Sequence, residues 1–210
     1  MPSPAFIWDL DGTLFDSYAI IVSSVCQALE EHGITMDKTV IFEDVTATSV
    51  SDFIHRVSQQ YGFDEVALFS RCCYLQTSQD DGIRLNPDAA TVLEQLHNRG
   101  AKHFVYTHKG GSAQAVLDRL GIGQFFTEVI TAAQGFARKP DPEGVDYLVH
   151  KYELDKARCY YVGDRKIDLQ CAANAKIRSI LYLYSPSSHQ AKSLATYCVS
   201  DLRHILDLKL

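Results

Sequence analysis

The stretch Phe6-Ile7-Trp8-Asp9-Leu10-Asp11-Gly12-Thr13-Leu14 decides how the rest of the chain is read. An apolar run about one strand long stops at two aspartates, then a glycine and a threonine. Alternate side chains of a strand face the same way, so Asp9 and Asp11 share one space beyond the strand end. Two carboxylates in one place repel, and a divalent cation with a taste for hard oxygen ligands, such as magnesium, relieves the repulsion. Gly12 permits a sharp turn, and parallel sheets bind ligands at the carboxyl ends of their strands. Carboxylates in unlike surroundings can also divide nucleophilic and acid/base work. The same run also reads as a plain Asp-Gly turn with Asp9 capping a helix. Its meaning therefore depends on what lies further along.

The bulk properties leave room for an enzyme and exclude several other classes. A chain of 210 residues is long enough for one core with an accessory lobe. Its 46% apolar and 22% charged residues are ordinary for a globular protein. A formal net charge of −6 argues against general binding to a nucleic acid polymer or an anionic membrane. The six cysteines form no C-x-x-C pair and read as reduced, mostly buried thiols. No basic-then-apolar leader and no membrane-length apolar run is visible, so the expected location is cytoplasmic.

Asp16 and Ser17 read as caps of a helix running through Val25 and Leu29 to Gly33. Residues 34–80 show no convincing strand, while 51–61 and 64–75 have helical spacing. Beyond residue 81 the pattern alternates. Strands are expected at 102–107, 128–132, 158–162 and 177–183, with helices near 112–120, 143–152 and 166–175 between them. A further helix is expected at 87–99, with Pro87 in its first turn. Strand–helix alternation of this length means a parallel sheet covered on both faces. The expected organisation is an α/β core of residues 1–16 and 81–210, with a small helical lid of residues 17–80 inserted.

Three further strand ends carry polar groups. Thr107 follows Phe104-Val105-Tyr106 and precedes His108-Lys109-Gly110-Gly111, so its hydroxyl and the loop N–H groups can face an anion or cap the next helix. Lys139, extended by Pro140, can aim its ammonium inward or lie on the surface. Asp164 ends the strand Cys159–Val162 as Asp9 ends the first, and Asp168 lies one helical turn on. Both also suit the start of a helix, where acidic side chains offset the dipole.

In this order, the four stretches resemble the haloacid dehalogenase-like hydrolase superfamily across essentially the whole chain. D-x-D-G-T stands at Asp9–Thr13, the strand-terminal threonine at Thr107, Lys-Pro at Lys139-Pro140 and G-D-x-x-x-D at Gly163–Asp168. Asp9 through Ser17 is most similar to phosphoglycolate phosphatase-like members. The resemblance implies a Rossmann-like, three-layer α/β/α core with a helical cap of the C1 type. It implies Asp9 as nucleophile and Asp11 as general acid and base, with Thr107, Lys109 and Lys139 binding phosphate. It also implies Mg2+ held by Asp9, the Asp11 backbone carbonyl and Asp164, with Asp168 and Thr13 supporting these groups from behind. The activity implied is hydrolysis of a small phosphomonoester such as phosphoglycolate, a sugar phosphate or a nucleotide, by a monomer or homodimer. A β-phosphoglucomutase-like mutase and a catalytically idle binding or regulatory relative are the alternatives. Two departures stand out: His108-Lys109-Gly110 follows Thr107 where the family commonly has asparagine, and Asp44–Arg56 lacks a glycine that many relatives carry there.

Overall fold

The computed structural model describes residues 3–209, which divide into two compact units. One comprises the chain up to Asp16 together with everything from Arg84 onward, and the other is Ser17–Ile83.

The first unit holds a six-stranded parallel sheet. Strand β1 (Ala5–Trp8) runs into a turn that leads to the short β2 (Phe15–Asp16), which pairs antiparallel with β3 (Arg84–Leu85). Then come β4 (Lys102–Tyr106), β5 (Phe126–Ile130), β6 (Cys159–Gly163), β7 (Arg178–Tyr182) and β8 (Tyr197–Val199). Their order across the sheet is β5-β4-β1-β6-β7-β8, every neighbour parallel. All four residues of β1 and all five of β6 are buried, as expected for central strands covered on both sides. On one face Ile7, Phe104 and Tyr161 pack with Val145, Leu148, Cys171 and Ala172. On the other, the Phe6 ring stacks with Trp8, His103 and Tyr160 at centroid separations of 5.5–5.8 Å. These alternating faces account for the lack of a polar–apolar rhythm in β1. This is the α/β, Rossmann-like core expected from the strand–helix alternation.

The Ser17–Ile83 unit is built from α1 (Tyr18–Glu30), α2 (Lys38–Ala47), α3 (Val50–Tyr61) and α4 (Glu65–Thr77). Ser49 caps α3 by accepting from Asp52 N, and Asp64 caps α4 by accepting from Ala67 N. Gly62, at φ 75°, closes α3 in the left-handed region. Helix α2 was absent from the sequence expectation, since its buried side chains amount to Ile41, Val45 and Thr46. Its signal was the cap, Asp37, whose carboxylate accepts from Thr39 N.

The remaining helices, α5 (Ala89–Asn98), α6 (Ala113–Arg119), α7 (Glu143–Lys151), α8 (Lys166–Asn174) and α9 (Pro186–Gln190), belong to the first unit. Pro87 lies outside α5 rather than in its first turn. The cap is Asp88 at φ 61°, and no side-chain bond made it legible. No helix among the described residues is long and apolar enough to cross a membrane. All six cysteines are free, with Cys26, Cys72, Cys159 and Cys171 buried.

Candidate active site

Sheet register assembles the site. Trp8 is level with Val105 of β4 and with Val162 of β6, so the chain leaves all three central strands along one edge. Asp9 follows Trp8 directly, while Thr107 and Asp164 each lie two residues past their aligned valine. The Asp9 N–H donates to Val162 O at 2.9 Å and the Thr107 N–H to Ile130 O at 3.0 Å, which carries the ladder one step beyond the strands. Gly12, at φ 79°, then reverses the chain, and Thr13, Leu14 and Phe15 all return their N–H groups to Leu10 O. Asn86 braces this loop by donating from Nδ2 to Thr13 O at 2.9 Å.

Asp9, Asp164 and Asp168 are fully buried, and one carboxylate oxygen from each lies within 4.8 Å of the others. Three acids this close and this deep need positive charge. Lys139 Nζ provides it, 3.0 Å from Asp9 Oδ1 and 2.7 Å from Asp168 Oδ1. The ammonium also lies 5.5–5.8 Å from the ring centroids of Tyr161 and Tyr106, within cation–π range. Tyr161 OH in turn donates to Tyr106 O at 2.7 Å. Burial alone would raise the Asp9 pKa, but Lys139 and Arg165 outweigh it and hold the carboxyl at about 2. Burial would likewise discharge Lys139, and Asp168 and Asp9 reverse that, raising its pKa above the usual lysine value.

Three of the four polar groups in question, Asp9, Thr107 and Asp164, do not stand at the N-cap positions of the helices that follow them. Ser17, not Asp9, precedes α1, and Ser112, not Thr107, precedes α6. Thr107 is buried and its Oγ1 accepts from Lys109 N at 3.1 Å, an interaction within its own loop. Asp164 Oδ1 accepts from the Thr13 hydroxyl at 3.1 Å, tying the last motif to the first. Asp168 does serve its helix, since Oδ2 accepts from Arg165 N at 3.1 Å while Oδ1 serves Lys139. Asp11 is half-buried in the turn after β1.

Two residues given no role from the sequence belong to the cluster. Arg165 Nη2 lies 3.2 Å from Asp9 Oδ2, so each oxygen of Asp9 faces its own cation. His108 accepts the Lys139 N–H on Nε2 at 2.9 Å and joins the threonine loop to the lysine loop. Burial and the neighbouring Lys139, Arg138 and Arg165 press its pKa down to about 2, so the ring is neutral. Arg165 sits inside the G-D-x-x-x-D stretch and His108 next to Thr107. Motif adjacency was the available signal for both.

In the Ser17–Ile83 unit, Arg71, His55 and Arg56 each meet an acidic side chain of the same unit. Arg71 makes a two-pronged contact with Glu31 at 2.7 and 2.8 Å, His55 Nδ1 lies 2.8 Å from Glu65, and Arg56 pairs with Asp44. Tyr18 is buried edge-on against Phe42. These are helix-surface and core roles.

The family description "Haloacid dehalogenase-like hydrolase" matches residues 6–182, from β1 to the end of β7. The chain belongs to this family. Among curated relatives it is similar to a phosphoglycolate phosphatase from Vibrio cholerae, 27% identical and covering 97% of this chain and 95% of that one. It is also 22% identical to the pyrophosphatase PpaX of Oceanobacillus iheyensis, covering 96% and 94% of the two chains. Among solved structures, a predicted phosphoglycolate phosphatase from Haemophilus somnus superposes with a TM-score of 0.83 at 22% identity, covering 99% and 98%. The last likeness concerns the fold. Within the haloacid dehalogenase-like hydrolases this chain stands with the phosphatases.

Proposed function

We propose that this hydrolase cleaves small phosphomonoesters through a phosphoryl group carried on Asp9, with Mg2+ as its cofactor. The observation that carries the proposal is the pairing of Asp9 with Lys139 and its closeness to Asp164. A carboxylate held at about pKa 2 is ionised at every physiological pH, as a nucleophile must be.

In this reading an Asp9 oxygen attacks phosphorus in line and the bond to the leaving alkoxide breaks. Asp11, protonated at that stage, gives its proton to the alkoxide. It then takes a proton from the water that attacks the aspartyl-phosphate, which releases inorganic phosphate and restores Asp9. Lys139, Thr107 and Lys109 hold the phosphoryl oxygens and offset the charge spread over them in the transition state. Asp168 keeps Lys139 aimed at Asp9, and Thr13 keeps Asp164 oriented.

An all-oxygen donor set of buried carboxylates fits a hard dication. Asp9 and Asp164, with the Asp11 backbone carbonyl, would hold it, and it would supply Lewis-acid stabilisation of phosphoryl charge. The Ser17–Ile83 unit is the C1-type cap in this reading and sets the choice of leaving group.

The test is phosphate release from a panel of phosphoglycolate, sugar phosphates, nucleoside monophosphates and pyrophosphate, with Mg2+ and with excess EDTA. Magnesium-dependent turnover of at least one monoester, ranked by kcat/KM, is expected. No release from any member, with the protein folded and Mg2+ present, overturns the proposal.

A further inference from the structure

Both oxygens of the buried Asp9 carboxylate face cations, and the two cations are held in different ways. Lys139 is locked: its side chain is fully buried, it shares Asp168 with Asp9, and two tyrosine rings flank it. Arg165 approaches from the residue just before α8, where an extended backbone (φ −119°, ψ 156°) turns its long side chain back over the site. It is slightly exposed, at 10%, and contacts Oδ2 at the longer distance of 3.2 Å. Arg165 is also the immediate neighbour of Asp164, the other carboxylate proposed to hold the dication.

A dication shared by Asp9 and Asp164 needs an Asp9 oxygen. Oδ1 lies 3.0 Å from Lys139, and the other oxygen, Oδ2, accepts from the Arg165 guanidinium at 3.2 Å. A guanidinium and a dication on one carboxylate oxygen repel at a few ångströms, strongly so in a buried site.

Building on the magnesium reading above, we propose that Arg165 is a placeholder cation. Its guanidinium neutralises Asp9 Oδ2 when the metal is absent and must leave that oxygen for Mg2+ to bind. Arg165 thereby sets the Mg2+ concentration at which the nucleophile becomes available, and keeps the acidic cluster folded below it. It acts through Asp9 and is a positioning residue.

The experiment is calorimetric titration of MgCl2 into metal-stripped full-length protein, together with thermal melts in EDTA. The proteins are wild type, Arg165→Met, Arg165→Lys and Asp164→Asn. Removing the competing charge should tighten Mg2+ binding by Arg165→Met about tenfold while lowering its melting temperature in EDTA. Arg165→Lys, which keeps a cation, should lie between Arg165→Met and wild type on both measures. Asp164→Asn should lose Mg2+ binding. Unchanged or weaker Mg2+ affinity in Arg165→Met, or in Arg165→Lys should the methionine variant not fold, overturns the placeholder role while leaving the magnesium reading intact. Failure of wild-type protein to bind Mg2+ at all overturns that reading and the placeholder with it.

Discussion

A Cβ atom added to Gly163 would lie 2.5 Å from the Cβ, Cγ and Oδ2 atoms of Asp168. The last residue of β6 and the carboxylate one turn into α8 are thus in direct contact across the strand-to-helix turn. The glycine of G-D-x-x-x-D is there because Asp168 must reach back to Lys139 through the space a side chain would fill. Gly163→Ala should therefore cost about 1–3 kcal/mol of stability by overpacking. It should also lower kcat, because Asp168 can move only by giving up Lys139. Urea unfolding and steady-state kinetics on the same variant would check both. A variant as stable and active as wild type would mean that the turn absorbs the methyl group.

Lys139→Met should be worse than a lost surface lysine. It leaves Asp9 and Asp168 buried with Arg165 as the nearest remaining cation. Breaking a buried pair in this way costs about 3–5 kcal/mol. Unfolding should then shift strongly with pH, because protonating the stranded carboxylates relieves the penalty. The variant should regain stability relative to wild type as the pH falls from 7 towards 4. Denaturation midpoints across that range would show it.

Asp9→Asn and Asp11→Asn should part company. The first removes the atom proposed to bond phosphorus and should reduce turnover by more than about 10,000-fold. The second keeps the nucleophile and removes the proton transfer, for a loss of about 100- to 10,000-fold. Orthophosphate should still bind Asp11→Asn with Mg2+ present. Single-turnover rates and phosphate titrations distinguish the two, and equal losses with no phosphate binding by Asp11→Asn would remove its assigned role.

Acid sensitivity should arise on the sheet face away from Lys139. His103 is fully buried and accepts the Trp8 indole N–H on Nδ1 at 3.0 Å. Burial, helped by His97, lowers its pKa from 6.5 to about 4. Unfolded chains therefore take up the proton first. The stability contributed by the neutral ring is complete above pH 6.5 and drains away as the pH falls from 6.5 to 4, by about 3 kcal/mol in all. His103→Phe should flatten that part of the stability–pH curve while losing the bond to Trp8 at every pH. Thermal melts between pH 4 and 8 would test this, and an unchanged slope would assign the acid sensitivity to other groups.

Local pattern carried much of this protein. The burial of β1 and β6, the helices between parallel strands and the helical character of 51–61 and 64–75 were legible because apolar spacing records which faces are covered. Helix α2 was not legible, because its face buries few apolar groups. The same held for β8, a three-residue edge strand whose pairing with β7 is a long-range choice. Asp9, Thr107 and Asp164 stood out as polar residues at strand ends, Lys139 by the proline after it and Asp168 by its place one helical turn past Asp164, in an order that resembles one family.

What sequence alone determined was the menu of elements and the residue types at their ends, since both depend on neighbours a few positions away. Tertiary structure decided the pairings: Lys139 between Asp9 and Asp168, Thr13 on Asp164, His108 on the lysine loop, and Arg165 on the second oxygen of Asp9. These contacts span from 29 to 156 positions of chain and depend on the register of β1, β4 and β6. Such register is a property of the whole folded sheet, set by which side chains can be buried together.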